Sequence, residues 1–96
     1  MKVNIDEIQK ITSLLLSKLK ESKGNEIEIS NDYYWDISQD ELYSPYEEPK
    51  KITLGQLSDD LEEVQRLIKS DDAVMYDLKR LSNILKVLSI ENQTAF

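Results

Sequence analysis

Two runs of helical spacing decide the fold class, and both lie in residues 54–89, LGQLSDDLEEVQRLIKSDDAVMYDLKRLSNILKVLS. Apolar residues recur in each run at steps of three and four, the period that places side chains on one face of a helix. The spacing predicts helices over about 54–69 and 73–89, with Leu61 and Leu78 as core positions. Because so few residues separate the two helices, they should form an antiparallel helical hairpin.

A third helix is predicted at the amino-terminal end, over residues 4–22. Isoleucines and leucines recur there with the same period, which predicts Ile5 and Ile8 as core positions. Asn4 is a suitable N-cap, acids occupy the first turn and lysines the last. Gly24 stands where a glycine commonly ends a helix.

A short β-hairpin is predicted between these helical parts. Residues 26–30 alternate polar and apolar, and residues 33–37 are rich in aromatic and β-branched side chains. A two-residue loop would mix the two faces, whereas a three-residue loop pairs Ile29 with Trp35 and keeps one apolar face. In that register Trp35 is expected to be the main core residue of the hairpin rather than a binding residue.

Two capping-box patterns mark helix starts. Ser38-Gln39-Asp40-Glu41 predicts one helical turn after the hairpin, before an irregular acidic loop that contains two prolines. Thr53-Leu54-Gly55-Gln56 is the second pattern and predicts that the next helix opens there. The sequence therefore predicts an α+β fold, mostly helical, as a single small domain over residues 1–96.

The composition excludes most catalytic chemistry. The chain contains no histidine and no cysteine, so His-dependent triads, cysteine nucleophiles, thiolate zinc sites and disulfides are all ruled out. The two glycines form no phosphate-binding loop. We expect no enzyme activity, no cofactor and no metal.

No stretch is long and apolar enough to cross a membrane, and the first residues lack a signal-peptide pattern. Together with the absence of cysteine, these features predict a cytoplasmic protein.

Charge is concentrated in the middle of the chain, although the net charge is −7 overall. Residues 25–49 contain eight acids, no base and five of the seven aromatic side chains. Nucleic acid and anionic membranes both attract clustered lysine and arginine, so neither is an expected partner. A basic protein is the electrostatic complement.

The predicted contact residues lie in this acidic aromatic segment. Tyr34 and Asp36 should share the face of the hairpin that lies opposite Trp35. The tyrosines and acids of the irregular loop could equally be a lid over the core or a binding surface, because loops often contain binding residues and tyrosine is common in interfaces. The predicted partner-binding residues are Tyr34, Asp36, Tyr43, Tyr46, Glu47 and Glu48.

Three hypotheses of function follow. The first is a non-enzymatic module that binds a basic protein, for example an immunity or antitoxin-like protein. The second is a structural or accessory subunit, in which the same aromatics contact a fixed partner or a second copy as a homodimer. The third and least favoured is a metal-dependent enzyme, since Asp59 and Glu63 lie one helical turn apart, a pattern that is far more often a solvated face.

The chain also resembles a family of short uncharacterised bacterial proteins, well represented in cyanobacteria. The resemblance covers roughly residues 27–88 and depends on Asp32-Tyr33-Tyr34-Trp35-Asp36-Ile37, Glu41-Leu42-Tyr43, Pro49 and the segment from Leu54 to Leu61. It implies that the YYW segment and the GQLSDD segment belong to one structural unit. It implies no catalytic residue.

Overall fold

A computed structural model describes residues 1–91 and divides them into two compact units, Met1–Glu28 and a second unit that begins at Ile29. The first unit contains one helix, α1 (Ile5–Lys23). The second unit contains β1 (Tyr33–Ile37), α2 (Gln39–Leu42), β2 (Ile52–Gln56), α3 (Leu57–Gln65) with a 3₁₀ turn at Arg66–Ile68, and α4 (Tyr76–Glu91). The fold is therefore α+β and mostly helical, as the sequence predicts.

Helix α1 begins and ends at the residues that the sequence indicates. The side-chain oxygen of Asn4 accepts a hydrogen bond from the Glu7 N–H (3.0 Å), which satisfies an amide that the helix leaves without a partner. Gly24 follows the last turn with a φ of 88°, and its N–H donates to the carbonyl of Lys20 (2.9 Å). A positive φ suits glycine because it has no Cβ. The predicted amino-terminal helix is confirmed.

The predicted strand pairing is wrong. β1 pairs antiparallel with β2, so that Trp35 lies opposite Leu54, and residues 26–30 form no strand. Alternation and a short loop favour residues 26–30 as the partner, and the capping-box pattern at residues 53–56 hides the strand that forms there. Instead, β2 provides β-branched residues and a glycine opposite Tyr34, and the connection between the strands contains α2 and both prolines.

Glu41 ties the two ends of that connection together. Its carboxylate accepts hydrogen bonds from the backbone N–H groups of Lys50 (2.7 Å) and Lys51 (2.8 Å), and the Ser38 hydroxyl donates to it (3.1 Å). These bonds lower the pKa of the Glu41 carboxyl. The predicted helical turn after Ser38 is confirmed as α2, and Glu41 holds the chain in place for β2.

Helix α3 begins at Leu57, later than the predicted opening near residue 54. The predicted capping box fails because Thr53-Leu54-Gly55-Gln56 belongs to strand β2. Asp32, 26 residues before Ser58, caps the helix instead. Its carboxylate accepts from the Ser58 N–H (2.8 Å) and from the Gln56 side chain (2.8 Å), and its carbonyl accepts from the Leu57 N–H (2.6 Å).

Helices α3 and α4 form the predicted helical hairpin, and a buried carboxylate joins them. Asp77 is 6% exposed, and its two carboxylate oxygens accept a bidentate pair of hydrogen bonds from the Arg66 guanidinium (2.9 and 2.7 Å). It also accepts from Arg80 (2.8 Å) and from the Val74 N–H (2.9 Å). The bonds from Arg66 and Val74 lower the pKa of the Asp77 carboxyl far below its usual range.

The sheet turns its polar face toward this helical hairpin. Tyr34 and Asp36 are half-buried on that face, whereas Trp35 on the opposite face is 75% exposed. The prediction of Trp35 as a core residue is therefore wrong. The other predicted core positions are exposed as well, so those core predictions are also wrong: Ile5, Ile8, Leu61 and Leu78. Leu57 and Val87 are the buried apolar residues among those that the structure describes.

Candidate protein-interaction site

A groove of about 760 Å³ runs along β1 in the second unit. All five residues of β1 line it, together with residues of α2 and α4, and no β2 residue does. The groove therefore lies beside the outer edge of β1, on the side away from β2. Its apolar lining residues include Trp35, Ile37, Leu42, Leu78, Val87 and Ile90.

The outer edge of β1 presents to this groove backbone hydrogen-bonding groups that β2 does not use. Leu57 donates to the carbonyl of Asp32 and Ser38 to that of Lys51, in the same register as the β1–β2 ladder. Antiparallel strands exchange hydrogen bonds at every second residue, so Tyr34 and Asp36 bond to β2. The N–H and C=O groups of Tyr33, Trp35 and Ile37 therefore point away from β2. Within the described part of the chain, β2 is the only strand paired with β1.

Tyr34 is fixed within the unit by a polar cluster. Its hydroxyl donates to the carboxylate of Asp60 on α3 (2.6 Å) and accepts from the side chain of Asn83 on α4 (2.9 Å). Burial and Asp60 together raise the pKa of the Tyr34 hydroxyl well above its ordinary value. The ring also occupies the space that a Cβ at Gly55 would need. Tyr34 therefore holds β1 against both helices.

Asp36 likewise has a partner within the unit. Its carboxylate pairs with the Lys79 ammonium on α4 (2.6 Å), and this hydrogen bond raises the pKa of Lys79. The Tyr76 ring lies under both Lys79 and Arg80, with its centroid 5.1 Å and 4.6 Å from their charged groups. The ion pair largely neutralises Lys79, which lines the groove together with a second lysine, Lys86.

The other four predicted contact residues lie on the segment from Tyr43 to Glu48, which we call the acidic aromatic loop. Tyr43 is 88% exposed and Tyr46 is 96% exposed, and Glu47 and Glu48 are exposed as well. Tyr43 also lines the groove. The loop therefore does not cover a core, and its aromatic side chains are open to a partner.

The structure thus separates the six predicted contact residues into two groups. Tyr34 and Asp36 have intramolecular partners, whereas the four loop residues are exposed. The sequence predicts a two-stranded sheet with open edges, but it does not identify the groove beside β1, because it pairs that strand with the wrong segment. Sequence analysis also missed Asp60 and Asn83, which reach Tyr34 from separate helices and leave no local pattern. A polar Asn83 beside the apolar stripe of α4 was the one available signal.

Residues 1–91 contain neither a cluster of potential metal ligands nor a membrane-spanning helix. Asp59 and Glu63 do not belong to any group of three or more potential metal ligands among these residues. None of the helices in this range is long and apolar enough to span a membrane.

The chain matches no protein-family model, no curated protein and no solved structure. The similarity to short bacterial proteins noted above therefore stays a resemblance. Function is inferred from the chain's own residues.

Proposed function

We propose that this protein is a non-enzymatic interaction module that binds a basic protein partner through the acidic aromatic loop and the adjoining groove. The observation that carries the proposal is the exposure of two neighbouring loop tyrosines, Tyr43 and Tyr46, of which Tyr43 also lines the apolar groove. Aromatic side chains with a polar tip are the residues that interfaces favour. An immunity or antitoxin-like protein in the cytoplasm is one concrete form of such a module.

The charge distribution supports a basic partner. Residues 29–96 contain fourteen acidic and seven basic side chains, whereas residues 1–28 contain five of each. The net charge of −7 therefore belongs to the part of the chain that contains the loop and the groove. Charge of one sign steers an oppositely charged partner toward the surface and speeds association.

Affinity purification with wild-type protein and a Tyr43→Ala/Tyr46→Ala/Glu47→Lys/Glu48→Lys variant tests this proposal. We expect wild type to recover a basic protein that the variant loses. We also expect recovery to fall between about 0.1 M and 1 M salt, as the screening length shortens from about 10 Å to about 3 Å.

Glu62→Lys/Asp71→Lys is a suitable control because it reverses the charge of two exposed acids outside the loop. This variant should still recover the partner. If the loop variant recovers the same protein as wild type, the loop is not the binding surface.

A second candidate function is a structural subunit, favoured by the exposed apolar face of the sheet. Trp35 and Leu54 lie side by side on that face, and both are exposed. Contact through this face would be apolar, so salt should change it little. Trp35→Ser would then abolish assembly while the loop variant would not.

A further inference from the structure

We propose that the partner contributes an extended, basic segment that adds to the outer edge of β1 as a third strand. This inference rests on the proposed function and names the part of the partner that is bound. Strand addition to an exposed sheet edge is a general mode of peptide recognition, in which backbone hydrogen bonds give affinity and pockets for alternate side chains give specificity.

The first argument is the geometry of the edge. Tyr33, Trp35 and Ile37 direct their backbone donors and acceptors into the groove, at the two-residue spacing that an added strand requires. Soluble proteins usually protect such an edge with proline, lysine or other charges. β1 contains neither proline nor lysine, and its one charged residue, Asp36, is paired with Lys79.

The second argument is the size of the groove. A strand of five residues, at about 3.4 Å per residue, occupies about 4.8 Å between neighbouring strands and about 10 Å between layers, or roughly 800 Å³. The groove measures about 760 Å³. It therefore has room for one strand, and a second copy of this chain is disfavoured because both copies carry the same net charge of −7.

The third argument concerns the side chains of the added strand. Side chains on one face of it would meet Leu78, Val87 and Ile90 of α4, which line the groove, so they should be apolar. Those on the other face would be exposed to solvent, next to a part of the chain in which fourteen acids outnumber seven bases, so they should be basic. The expected segment alternates apolar and basic residues.

A synthetic seven-residue peptide of alternating lysine and valine tests the inference on the full chain. Trp35 is the only tryptophan and lies in β1, so its fluorescence reports binding. Amide hydrogen exchange measured by NMR then identifies the mode. Peptide should slow exchange at Tyr33, Trp35 and Ile37 at least about tenfold, whereas Tyr34 and Asp36 are already protected by β2.

An Ile37→Pro variant removes one outward N–H without removing a bond to β2. It should bind the peptide about three- to tenfold more weakly than Ile37→Ala, the loss expected for one hydrogen bond. Equal affinity in the two variants would overturn the inference. If Ile37→Pro does not fold, amide exchange in the wild-type protein remains as the test. Peptide that leaves exchange at Tyr33, Trp35 and Ile37 unchanged then overturns the inference.

The remaining outcomes separate this inference from the proposed function. A fluorescence change without protection of the three amides means that the peptide binds as something other than a strand. The absence of any fluorescence change also overturns strand addition. The proposed function is then tested by the affinity purification alone. Equal binding of a glutamate–valine peptide would rule out a basic occupant. Protection that rises with protein concentration, without peptide, would identify a second copy as the occupant.

Discussion

Gly55 and Tyr34 are matched across the sheet, at directly paired positions of β1 and β2. The Tyr34 ring crosses the backbone of Gly55, so a methyl group there would overlap the ring carbons and the hydroxyl. Any larger residue must push the ring away from Asp60 and Asn83. The glycine is therefore required by a close approach and not by its backbone angles.

We expect Gly55→Ala to lower the free energy of unfolding by about 1–3 kcal/mol, the usual cost of overpacking. In a Tyr34→Ala background the same change should cost less than about 0.5 kcal/mol, because the ring is gone. Urea unfolding of the four proteins measures both values. Equal costs in the two backgrounds would contradict the proposed overlap.

At the scale of elements, the cap of α3 comes from the residue before β1. Asp32→Ala should destabilise the protein more than Asp32→Asn, because an asparagine oxygen can still accept from the Ser58 N–H. Exchange of the Ser58 amide should quicken in the alanine variant and change less in the asparagine variant. Urea midpoints provide the second measurement, and identical behaviour of the two variants would argue against Asp32 as the cap.

The three main helices and the strand at residues 33–37 could be predicted from the sequence, because periodicity and capping act within a few residues of each other. The partner of that strand could not. Residues 26–30 and 52–56 both alternate, and the choice depends on Asp32 reaching Ser58 and on Tyr34 needing a glycine opposite it. Both contacts join residues that lie more than twenty positions apart.

The same limit applied to the candidate site. The composition of the acidic aromatic loop left a lid over the core and a binding surface equally open, and the exposure of Tyr43 and Tyr46 is seen only in the structure. The groove could not be proposed, because a groove beside β1 exists only once β2 occupies the opposite edge. Trp35 was misplaced for a related reason: the helical hairpin packs on the polar face of the sheet, where Tyr34 and Asp36 make their bonds.

For the whole molecule, acid should be the main destabilising condition. The pKa values of Asp32, Asp40, Glu41, Asp72 and Asp77 are all lowered in the folded chain by hydrogen bonds. A lowered folded pKa stabilises the protein above the unfolded carboxyl pKa, about 4. That stabilisation is lost as the pH falls from there through the folded value.

Asp77→Asn tests the largest of these contributions. The variant should unfold at lower urea concentration than wild type at pH 7, and the difference should shrink as the pH drops below about 4. Asp71→Asn, which changes an exposed acid, should follow the wild-type curve. A difference between wild type and Asp77→Asn that stays constant from pH 7 to pH 2.5 would contradict a role for its ionised form.

The hydrogen bonds from Lys50 and Lys51 to Glu41 have a consequence for how the sequence of the acidic aromatic loop can change in evolution. Because Glu41 binds the backbone of Lys50 and Lys51 rather than their side chains, the base of the acidic aromatic loop closes independently of the residues inside it. Substitutions and insertions between Tyr43 and Glu48 can then accumulate without shifting the register of the strands. Under the proposed function, the choice of partner can then evolve on a scaffold that stays the same, as in antibody domains whose variable loops stand on a constant framework.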